Sequence, residues 1–580
     1  MNVLGFSAFG HTSAAGLVVD GRLVAAAEEE RFLRRKYSMA LPLNAARCCL
    51  ARAGLTADDL THVGYFFDLK RGLPFYALHA LRYFPASLRL LTEREPGPEG
   101  FELVINPLRT LQLKTGLLSA LGALHPERVR FGFLEHHRCH AAHFFASPFD
   151  EAAVLTVDAL GEWTSTGLYH GRGSDLTELG RIPFPHSLGA LYAAVTTHLG
   201  YGTLEGPGKV MGLSAYGDPR RFGEQFGRLV RLEPDGGFSV DLEYFQYHRR
   251  RGQRVSARFI EAFGPPRDPE TPLRRQHEDL AAALQATVER TMLHLARGLH
   301  RRTGSSNLVL AGGVALNSVA NGVLAREGPF ERIWVPPSPG DSGTALGAAY
   351  LLHVAGRRER NGLVPEQPFL GPEFDDRACG AALDAAGLTS RRPRSLHREV
   401  ARLLAAGSIV GWFRGRMEFG PRALGHRSIL ADPRRAEDKD RLNREVKHRE
   451  AYRPFAPACA AEACGRYFED AAESPFMSFV VRVRPEAREG LAAVTHVDGT
   501  ARLQTVEREL EPDLHRLLLA FEQEAGVPVL LNTSFNVSGE PIVCTPEDAV
   551  RCFLSTGIDA LVLGDRLVKN GPIPGGGHAR

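Results

Sequence analysis

The feature that most restricts the fold of this chain is a buried strand that ends in a glycine turn and continues as a helix. One copy spans residues 307–317 and turns at Gly312 and Gly313, and a second copy follows at 332–352, with its turn at 336–343. Backbone amides at such a turn meet the positive end of the helix dipole, where phosphate groups bind. Two such units that close around one acidic residue, Asp341, predict an α/β fold with a cleft for an adenine nucleotide.

The start of the chain indicates the same class of fold. Residues 2–9 and 14–20 are apolar, strand-like runs, and residues 10–13 between them form a small polar turn that contains His11. Strand, small polar turn and strand is the opening of the actin-like ATPase folds, in which the turn amides face a nucleotide phosphate. Taken alone, His11 is more simply explained as a surface residue.

A glycine-studded stretch at 204–217 adds one lysine to this picture. We expect it to be a loop in which Lys209 faces a phosphate, although a single glycine loop is a signal of low specificity. The predicted nucleotide-binding residues are therefore Lys209, Gly312, Gly313, Asn317 and Ser342.

Two histidines and two aspartates form a candidate metal site. His136 and His140 are four residues apart and share one face if a helix begins just before them. Asp158 and Asp341 each follow a predicted strand. Imidazole and carboxylate ligands suit iron(II), manganese or zinc, and magnesium is also compatible. The alternative is that the histidines are hydrogen-bonded structural groups that hold no ion.

Length and charge limit the function classes. At 580 residues the chain exceeds the size of a single core, so two or more domains are expected. It carries 70 basic and 67 acidic residues, a balance that argues against a nucleic-acid partner.

We find no basic leader and no apolar run of membrane-spanning length, and therefore predict a cytoplasmic protein without a membrane partner. The eight scattered cysteines include no C-x-x-C pair and are predicted to be reduced.

A polar, proline-bearing segment at 357–372 is predicted to be a linker. It separates a first domain, 1–356, from a second domain, 373–580. Within the first domain, the charge run at 28–36 and the arginine- and proline-rich residues 248–275 are expected to be solvated.

The second domain concentrates cations where no helical or strand period is visible. Residues 414–428 alternate arginine with glycine and proline and include Arg422 and His426. Because few acids lie nearby, we interpret the stretch as a pocket for a compact dianion, which guanidinium groups bind bidentately, rather than as structural arginines. Further cations are Lys447, Arg453 and Arg502.

A buried strand at 527–531 ends in amide and hydroxyl side chains, including Asn532 and Ser534. Such donors could recognise a small planar group together with a phosphate. Each of these features alone could be a capped turn, whereas all of them in one domain favour an anion-binding active site.

Seven motifs, in order along the chain, resemble the O-carbamoyltransferase family, which includes the nodulation-factor, cephem and aminoglycoside-antibiotic carbamoyltransferases. They are EHH with HAA in 135–142, VDALGEW at 157–163, KVMGL at 209–213, GGVALN at 312–317, PGDSG at 339–343, GPRALG at 420–425 and LNTSFN at 531–536. The resemblance extends from the first strand to about residue 563.

The resemblance implies a two-part enzyme. Its first part resembles the actin-like tRNA threonylcarbamoyl transferase, and its second resembles the synthase that makes threonylcarbamoyl adenylate. Carbamoyl phosphate would bind in the second domain, ATP would convert it to a carbamoyl-adenylate, and the carbamoyl group would pass to a hydroxyl of a small natural-product or sugar acceptor. A role in secondary metabolism, such as antibiotic biosynthesis, is implied as well, and the oligomeric state is left open.

The resemblance also carries residue roles. It assigns a divalent metal to His136, His140, Asp158 and Asp341. Iron(II) is the first choice, and manganese, zinc and magnesium are the alternatives. Carbamoyl phosphate binding is predicted for Arg422, His426, Lys447, Arg453, Arg502, Asn532 and Ser534, and catalytic roles for His11, Arg422, Lys447 and Ser534. The family commonly has Asp after the first-turn histidine, whereas this chain has Thr12 and so lacks a carboxylate that would orient His11.

Two other functions remain compatible with the residues. An actin-like sugar kinase or ATPase would use the same cleft and release ADP, but it leaves the clusters at 416–428 and 532–536 unexplained. A catalytically degenerate, nucleotide-binding regulatory module would bind metal and nucleotide without turnover, which the change at Thr12 would favour.

Overall fold

The structure is a computed structural model that describes residues 1–92, 113–250, 252–357, 363–364, 367–470 and 473–569. It divides into two compact units. The first comprises Met1–Leu33 and Tyr37–Glu366, and the second comprises Arg34–Lys36 and Gln367–Arg580. Apart from Arg34–Lys36, the division between the units falls between Glu366 and Gln367.

The first unit contains two five-stranded sheets and one small hairpin. Its strands are β1 (Asn2–Ser7), β2 (Ala14–Val19), β3 (Arg22–Glu28), β4 (His62–Tyr65), β5 (Arg130–Phe133), β6 (Glu151–Val157), β7 (Thr164–Arg172), β8 (Asp175–Pro183), β9 (Val230–Leu232), β10 (Phe238–Val240), β11 (Asn307–Ala311) and β12 (Arg332–Trp334). The first sheet has the order β3-β2-β1-β4-β5, the second has the order β12-β11-β6-β7-β8, and β9 pairs with β10.

The two sheets follow one plan. In the first, β1 is antiparallel to β2 and parallel to β4, and in the second, β6 is antiparallel to β7 and parallel to β11. The outer strands repeat the same directions. This mixed α/β architecture of two equivalent halves confirms the predicted fold class, including the actin-like plan of the first unit.

The helices of the first unit pack on these sheets. They are α1 (Glu29–Leu33), α2 (Leu43–Ala53), α3 (Leu69–Arg82), α4 (Arg89–Thr92), α5 (Leu113–Ala120), α6 (His136–Ala141), α7 (Leu188–His198), α8 (Gly206–Leu213), α9 (Gly223–Leu229), α10 (Ala257–Phe263), α11 (Arg275–Thr303), α12 (Ser318–Glu327) and α13 (Thr344–Arg357). Helix α13 approaches β1 so closely that a Cβ at Gly5 would lie 1.9 Å from the carbonyl oxygen of Ala345. The helix that carries Asp341 at its start is thereby fixed against the first sheet.

The charge run at 28–36 is not solvated as predicted. Glu28, Glu29 and Arg31 are buried, and Arg31 Nε donates to Glu28 Oε2 at 2.8 Å. Glu29 Oε2 accepts a hydrogen bond from the backbone N–H of Ala45 at 2.9 Å, in the first turn of α2. A carboxylate is stabilised at that position by the free amides and the helix dipole, which explains the burial.

Two further expectations for the first unit are wrong. The stretch at 204–217 is not a loop, because α8 forms there with Val210 and Leu213 buried, and a proline in its first turn is compatible with a helix. Residues 248–275 are not simply a solvated excursion, because α10 buries Phe259 and Phe263. In both cases apolar packing outweighs the local glycine, proline or arginine content.

The second unit is built on one nine-stranded mixed sheet. Its strands are β13 (Val410–Phe413), β14 (Arg427–Ala431), β15 (Ala456–Ala460), β16 (Phe468–Glu469), β17 (Phe479–Val483), β18 (Thr500–Val506), β19 (Val529–Ser534), β20 (Ala560–Leu563) and β21 (Arg566–Lys569), in the order β16-β17-β18-β15-β19-β14-β13-β20-β21. Its helices are α14 (Asp376–Ala385), α15 (Leu396–Ala405), α16 (Ala436–Arg441), α17 (Cys464–Tyr467), α18 (Pro512–Ala525) and α19 (Pro546–Leu554). Strands β13, β14 and β15 are fully buried, and the half-buried end of β19 carries Ser534 of the candidate anion site.

Candidate functional site

Strand and helix ends bring the four predicted metal ligands together in the first unit. His136 and His140 lie one turn apart on α6, which starts directly after Glu135. Asp158 follows β6, and Asp341 opens the turn that leads into α13. One ligand atom from each of the four residues lies within 4.8 Å of all the others. The spacing seen in the sequence therefore corresponds to real proximity.

The distances suit a common ion. His140 Nε2 is 3.1 Å from both His136 Nε2 and Asp158 Oδ2. Asp341 Oδ1 is 3.6 Å from each of the two Nε2 atoms, and His136 Nε2 is 3.6 Å from Asp158 Oδ2. Two ligand atoms about 2.1 Å from one ion are separated by about 3.0–3.4 Å. The geometry is thus close to that of a four-ligand metal centre.

The polar atoms of this group also fit a cation. Asp341 Oδ1 is buried and has no hydrogen-bond partner among the described residues, although it faces both imidazoles. Two Nε2 atoms 3.1 Å apart expose lone pairs to each other unless a proton or a cation lies between them. An unsatisfied buried acceptor costs about 1–3 kcal/mol. A divalent cation would remove this cost, because the two Nε2 atoms and the two carboxylates could all coordinate it.

The charges in this centre shift the pKa values of its members. Burial lowers the pKa of His136, but the carboxylates of Asp341 and Asp158 outweigh burial and raise that pKa to about 9. Burial raises the pKa of Asp158, but hydrogen bonds from His136 and His140 hold it well below its usual range. The centre therefore favours positive charge at the point where the four side chains meet.

The double-glycine turn predicted to bind nucleotide orients one of these carboxylates. The backbone N–H of Gly313 donates to Asp158 Oδ2 at 3.0 Å, and the N–H of Ala159 donates to Oδ1 at 2.6 Å. Gly312 has φ +92°, and a Cβ there would lie 2.3 Å from the carbonyl oxygen of Val157. Only glycine fits this approach, so the turn supports the candidate metal centre directly.

The other predicted nucleotide-binding side chains have partners within the protein. Asn317 exchanges hydrogen bonds of 2.9 and 3.1 Å with Gln285 and also caps the N-terminus of α12. Ser342 Oγ is 2.8 Å from Ser338 Oγ. Lys209 lies on α8 with its Nζ 5.8 Å from the centre of the Tyr201 ring. Gly312, Gly313 and Ser342 are thus gathered around the two aspartates, whereas Lys209 belongs to a neighbouring helix.

His11 lies at the edge of the candidate metal centre. Its Nε2 is 3.3 Å from Asp341 Oδ2, the carboxylate oxygen that does not face the histidine pair, and its side chain is 30% exposed. Asp341 therefore links the predicted transfer histidine to the predicted metal ligands. The hydroxyl of Thr12 is buried and has no hydrogen-bond partner among the described residues.

Two buried residues that the sequence did not single out hold the ligand helix in place. Glu162 accepts hydrogen bonds from the backbone N–H groups of Asp68, at 2.7 Å, and His136, at 3.0 Å. Burial raises the pKa of Glu162 to about 7. His137 Nε2 donates to the carbonyl of Thr164 at 2.8 Å, so Nδ1 accepts from Thr156 Oγ1. Nothing in the spacing of Glu162 or His137 distinguishes them from ordinary motif neighbours.

The second unit contains three arginines without acidic partners. Arg422, Arg453 and Arg502 make no ion pair with any carboxylate of the described residues, and the Nε atom of Arg502 is buried without a hydrogen-bond partner. Burial, followed by the charges of Arg422, Arg453 and Arg449, holds the pKa of Arg502 well below its usual range. Burial and Arg453 lower the pKa of Arg422 to about 10. Buried cations that lower each other's affinity for a proton without a carboxylate nearby favour a bound anion.

Lys447 and Ser534 adjoin this cluster. Lys447 Nζ donates to the carbonyl of Ser534, to Asn536 Oδ1 at 2.8 Å and to the Asn536 carbonyl at 3.0 Å. Ser534 Oγ donates to Asn536 Oδ1 at 2.7 Å. Burial, with further contributions that include Arg449 and Arg453, holds the pKa of Lys447 well below its usual range. Its ammonium group thus lies among neutral acceptors beside the arginines.

Asn532 offers an unfilled acceptor in the same region. Its Nδ2 donates to Gln504 Oε1 at 2.7 Å and to the carbonyl of Ala423 at 3.2 Å, and Gln504 Nε2 donates to the carbonyl of Leu424 at 2.7 Å. These bonds tie the loop that carries Arg422 to the end of β19. Asn532 Oδ1 is buried and lacks a partner among the described residues, so it could accept from an N–H of a ligand.

The ring of His426, which is predicted to bind carbamoyl phosphate, is held by other protein groups. Its Nε2 is 2.6 Å from Glu511 Oε2, its Nδ1 bonds the carbonyl of Arg416, and its ring stacks on Phe369 with centroids 3.8 Å apart. Both ring nitrogens are therefore engaged with protein groups. A direct contact of His426 with substrate would require the loss of one of these partners.

The interpretation of all arginines in 414–428 as pocket residues is wrong. Arg427 is fully buried and donates to the carbonyls of Arg414, Gly415 and His426, and its guanidinium lies 3.6 Å from the centre of the Phe413 ring. Arg414 pairs with Asp513 and Asp565. The two aspartates are distant from Arg414 in the sequence, which is why a local search for acids missed them. Of the predicted anion ligands in this stretch, Arg422 is the one with an unpaired guanidinium among the described residues.

A buried carboxylate shapes the loop that presents Arg422. Glu418 Oε1 accepts hydrogen bonds from the backbone N–H groups of Leu424, His426 and Arg427 at 2.8, 2.9 and 3.1 Å. Three amide donors converging on one oxygen fix the course of the loop. The sequence did not indicate this role for Glu418.

Comparisons with known proteins match both parts of the chain. Residues 2–350 match the family model described as Carbamoyltransferase N-terminus, and residues 401–570 match Carbamoyltransferase C-terminus. Nodulation protein NolNO of Sinorhizobium fredii is 41% identical over 573 residues, which cover 97% of this chain and 79% of that protein. The 3'-hydroxymethylcephem-O-carbamoyltransferase of Amycolatopsis lactamdurans is 41% identical over 285 residues, 49% of this chain and 52% of that protein.

A solved structure of HypF from T. kodakarensis also matches, at 15% identity and a TM-score of 0.31, over 63% of this chain and 48% of that one. A likeness this weak carries no argument about function. The fold and the sites instead define a two-unit α/β protein with a candidate centre for a divalent metal and a candidate site for an anion. With both family models matched over most of its length, the chain belongs to the carbamoyltransferase family.

Proposed function

We propose that this protein is an ATP-dependent O-carbamoyltransferase that moves the carbamoyl group of carbamoyl phosphate, by way of a carbamoyl-adenylate, to a hydroxyl of a small acceptor. Membership of the family supports transfer of a carbamoyl group. The donor, the adenylate and the class of acceptor, a natural product or a sugar, go beyond that membership and are argued from the two sites.

The observation that carries the proposal is the group of three arginines without acidic partners. Burial and the charge of Arg453 lower the pKa of Arg422, and burial with the charges of Arg422 and Arg453 lowers that of Arg502, which costs stability unless an anion binds. A phosphate dianion would accept bidentate hydrogen bonds from such guanidinium groups. Beside them, the unfilled Oδ1 of Asn532 is suited to accept from the NH2 group of a carbamoyl moiety.

The chemistry balances with ATP and one water. Water cleaves carbamoyl phosphate to carbamate and phosphate, and a carbamate oxygen attacks the α-phosphorus of ATP, which releases pyrophosphate. The acceptor oxygen then attacks the carbonyl carbon of the carbamoyl-adenylate, the C–O bond to AMP breaks, and the acceptor proton passes to a base. Each turnover therefore yields carbamate ester, AMP, pyrophosphate and phosphate.

The first unit would supply the transfer step. A divalent metal held by His136, His140, Asp158 and Asp341 would act as a Lewis acid that stabilises negative charge on the adenylate. His11, with its Nε2 3.3 Å from Asp341 Oδ2, would take the acceptor proton, and general-base catalysis of this kind contributes about 10²–10⁴-fold. Asp341 would hold the imidazole in place. In this chain residue 12 is Thr12 and has no carboxylate that could do so.

Product analysis tests the proposal. The protein is incubated with ATP and carbamoyl phosphate labelled with carbon-13, together with a panel of hydroxylated sugars and macrolides, and the products are identified by mass spectrometry. AMP and pyrophosphate that form only when carbamoyl phosphate is present support the adenylate route. ADP as the nucleotide product would indicate a kinase or ATPase instead, and metal and nucleotide binding without turnover would indicate a regulatory module.

A further inference from the structure

A concentration of exposed apolar side chains lies on α3 and the residues that follow it. Leu78 and Leu81 are 64% and 76% exposed. We call the set of exposed residues here the apolar face, and it comprises Leu73, Leu78, Leu81 and Phe84. Other large hydrophobic residues with comparable exposure in the described ranges are isolated along the chain, as at Leu519 and Leu554. Several exposed apolar side chains grouped on one helix and the turn after it are typical of an interaction site.

The charged residues within α3 and the stretch up to residue 92 are basic, and Asp68 caps the start of the helix. Residues 69–92 contain no aspartate and no glutamate. Arg71 pairs with Glu135 at 2.5 Å and is thereby neutralised. The exposed cations Lys70, Arg82 and Arg89 make no ion pair with a carboxylate of the described residues. The surface is therefore apolar and positively charged at the same time.

The opposite side of α3 explains why these residues are not needed by the fold. His79 is buried, and its ring packs 5.1 Å from that of Trp163 and 4.7 Å from that of Tyr83. The helix thus satisfies its packing through one side and presents leucines on the other. A second copy of this chain is a poor occupant, because a symmetric contact would place the same cations against each other.

We infer that the apolar face, with Lys70, Arg82 and Arg89, binds the surface of an anionic lipid bilayer. A helix of this type lies in the plane of the interface, with leucines among the acyl chains and cations at the headgroups. Such binding needs no spanning segment, and no helix of the described residues is long and apolar enough to cross a membrane. This binding is independent of the proposed reaction, and only its consequence for access to acceptors rests on that reaction.

The position of α3 gives this binding a consequence for the enzyme. The helix begins at Asp68, whose backbone N–H donates to Glu162, and the same carboxylate accepts from the N–H of His136. The helix that meets the bilayer is therefore joined through one side chain to the helix of the candidate metal centre. Docking would hold that centre close to acceptors carried in or on the membrane.

Vesicle flotation tests the inference with the full-length protein. Vesicles of phosphatidylcholine alone are compared with vesicles that also contain phosphatidylglycerol. We expect the protein to float with the anionic vesicles, and Leu78→Asp with Leu81→Asp to lower the vesicle-bound partition at least about tenfold because two apolar anchors are lost. Arg82→Glu with Arg89→Glu should lower it by roughly fivefold per cation.

The matched control is Leu519→Asp with Leu554→Asp, which changes two isolated exposed leucines of the second unit. This variant should bind vesicles as the unchanged protein does, and melting temperatures of all variants exclude unfolding as a cause. Failure of the unchanged protein to float, equal binding to neutral vesicles, or an equal loss in the control would each overturn the inference.

Discussion

The two candidate sites signal a ligand in opposite ways. In the first unit, donors of opposite charge converge, with His140 Nε2 3.1 Å from Asp158 Oδ2. In the second unit, Arg422, Arg453 and Arg502 approach one another without a carboxylate. One histidine in each unit shifts in the corresponding direction. The carboxylates of Asp341 and Asp158 outweigh burial and raise the pKa of His136 to about 9, whereas burial, with Arg502 among the further causes, lowers that of His496 to about 4.

This contrast separates two kinds of pre-organisation. A centre with balanced charges is partly stable before its ion binds, so losing one member should cost both binding and structure. A centre of like charges is destabilised until its ligand binds, so losing one member should cost binding alone. The predictions below test this distinction, from the largest expected effect to the smallest.

Removing one histidine of the metal centre should have the largest effect. His140→Ala leaves three ligands around the position of the ion, and we expect loss of bound metal together with at least a hundredfold decrease in carbamoyl transfer, since even supporting residues of metal sites contribute roughly 10–100-fold. Metal content by mass spectrometry and initial rates check this. The control is Arg138→Ala on the same helix, where the side chain is exposed. Full metal content in His140→Ala would contradict the assigned ligand set.

Removing one arginine should separate binding from stability. Arg502→Met should raise KM for carbamoyl phosphate about ten- to hundredfold, because a hydrogen bond to a charged group contributes about 1.5–3 kcal/mol. The same change should raise the melting temperature of the free protein, since one of three mutually repelling cations is gone. Enzyme kinetics and calorimetry measure the two effects.

The control for this experiment is Arg508→Met, an exposed arginine shortly after β18. It should change neither KM nor melting temperature. A lower melting temperature for Arg502→Met would mean that the arginines are structural and would remove the contrast between the two sites.

A smaller effect is expected at Glu418, which supports the loop of Arg422 without an assigned contact to substrate. Glu418→Ala deletes the oxygen that receives three backbone N–H groups, so KM for carbamoyl phosphate should rise by about tenfold with kcat nearly unchanged. Glu418→Gln keeps an oxygen at that position and should restore most of the loss. Equal effects of the two variants, or a fall in kcat instead of a rise in KM, would contradict the role of Glu418 in positioning the loop of Arg422.

How far the sequence predicts these sites depends on how local their partners are. His136 and His140 are four residues apart on a short helix, and Asp158 follows a strand, so periodicity and strand ends suffice to group them. The role of Glu162 could not be predicted, because it depends on a hydrogen bond to Asp68, far away in the sequence. Long-range partners of this kind leave no local pattern.

The errors have the same origin. Arg414 looked unpaired because Asp513 is 99 residues away, and Glu29 looked solvated because the helix it caps begins later in the chain. Hydropathy over a long window excludes a spanning helix, but it does not register leucines exposed on one side of α3. In each case tertiary contacts determine whether a side chain is paired, buried or exposed, and the local composition does not.

The smallest effect on activity is expected at His496, whose pKa shift is opposite in direction to that of His136 in the metal centre. Burial lowers its pKa to about 4, from about 6.5 in the unfolded chain. The folded state therefore binds this proton less readily, so the stability contributed by neutral His496 is present above pH 6.5 and is lost as the pH falls towards 4, by up to about 3 kcal/mol. Phosphate bound to Arg502 should raise the pKa, because it screens the neighbouring charge. Proton NMR titration of the ring, with His496→Gln to assign the signal, measures both. A pKa near 6.5 that phosphate does not move would show that His496 does not sense the arginines.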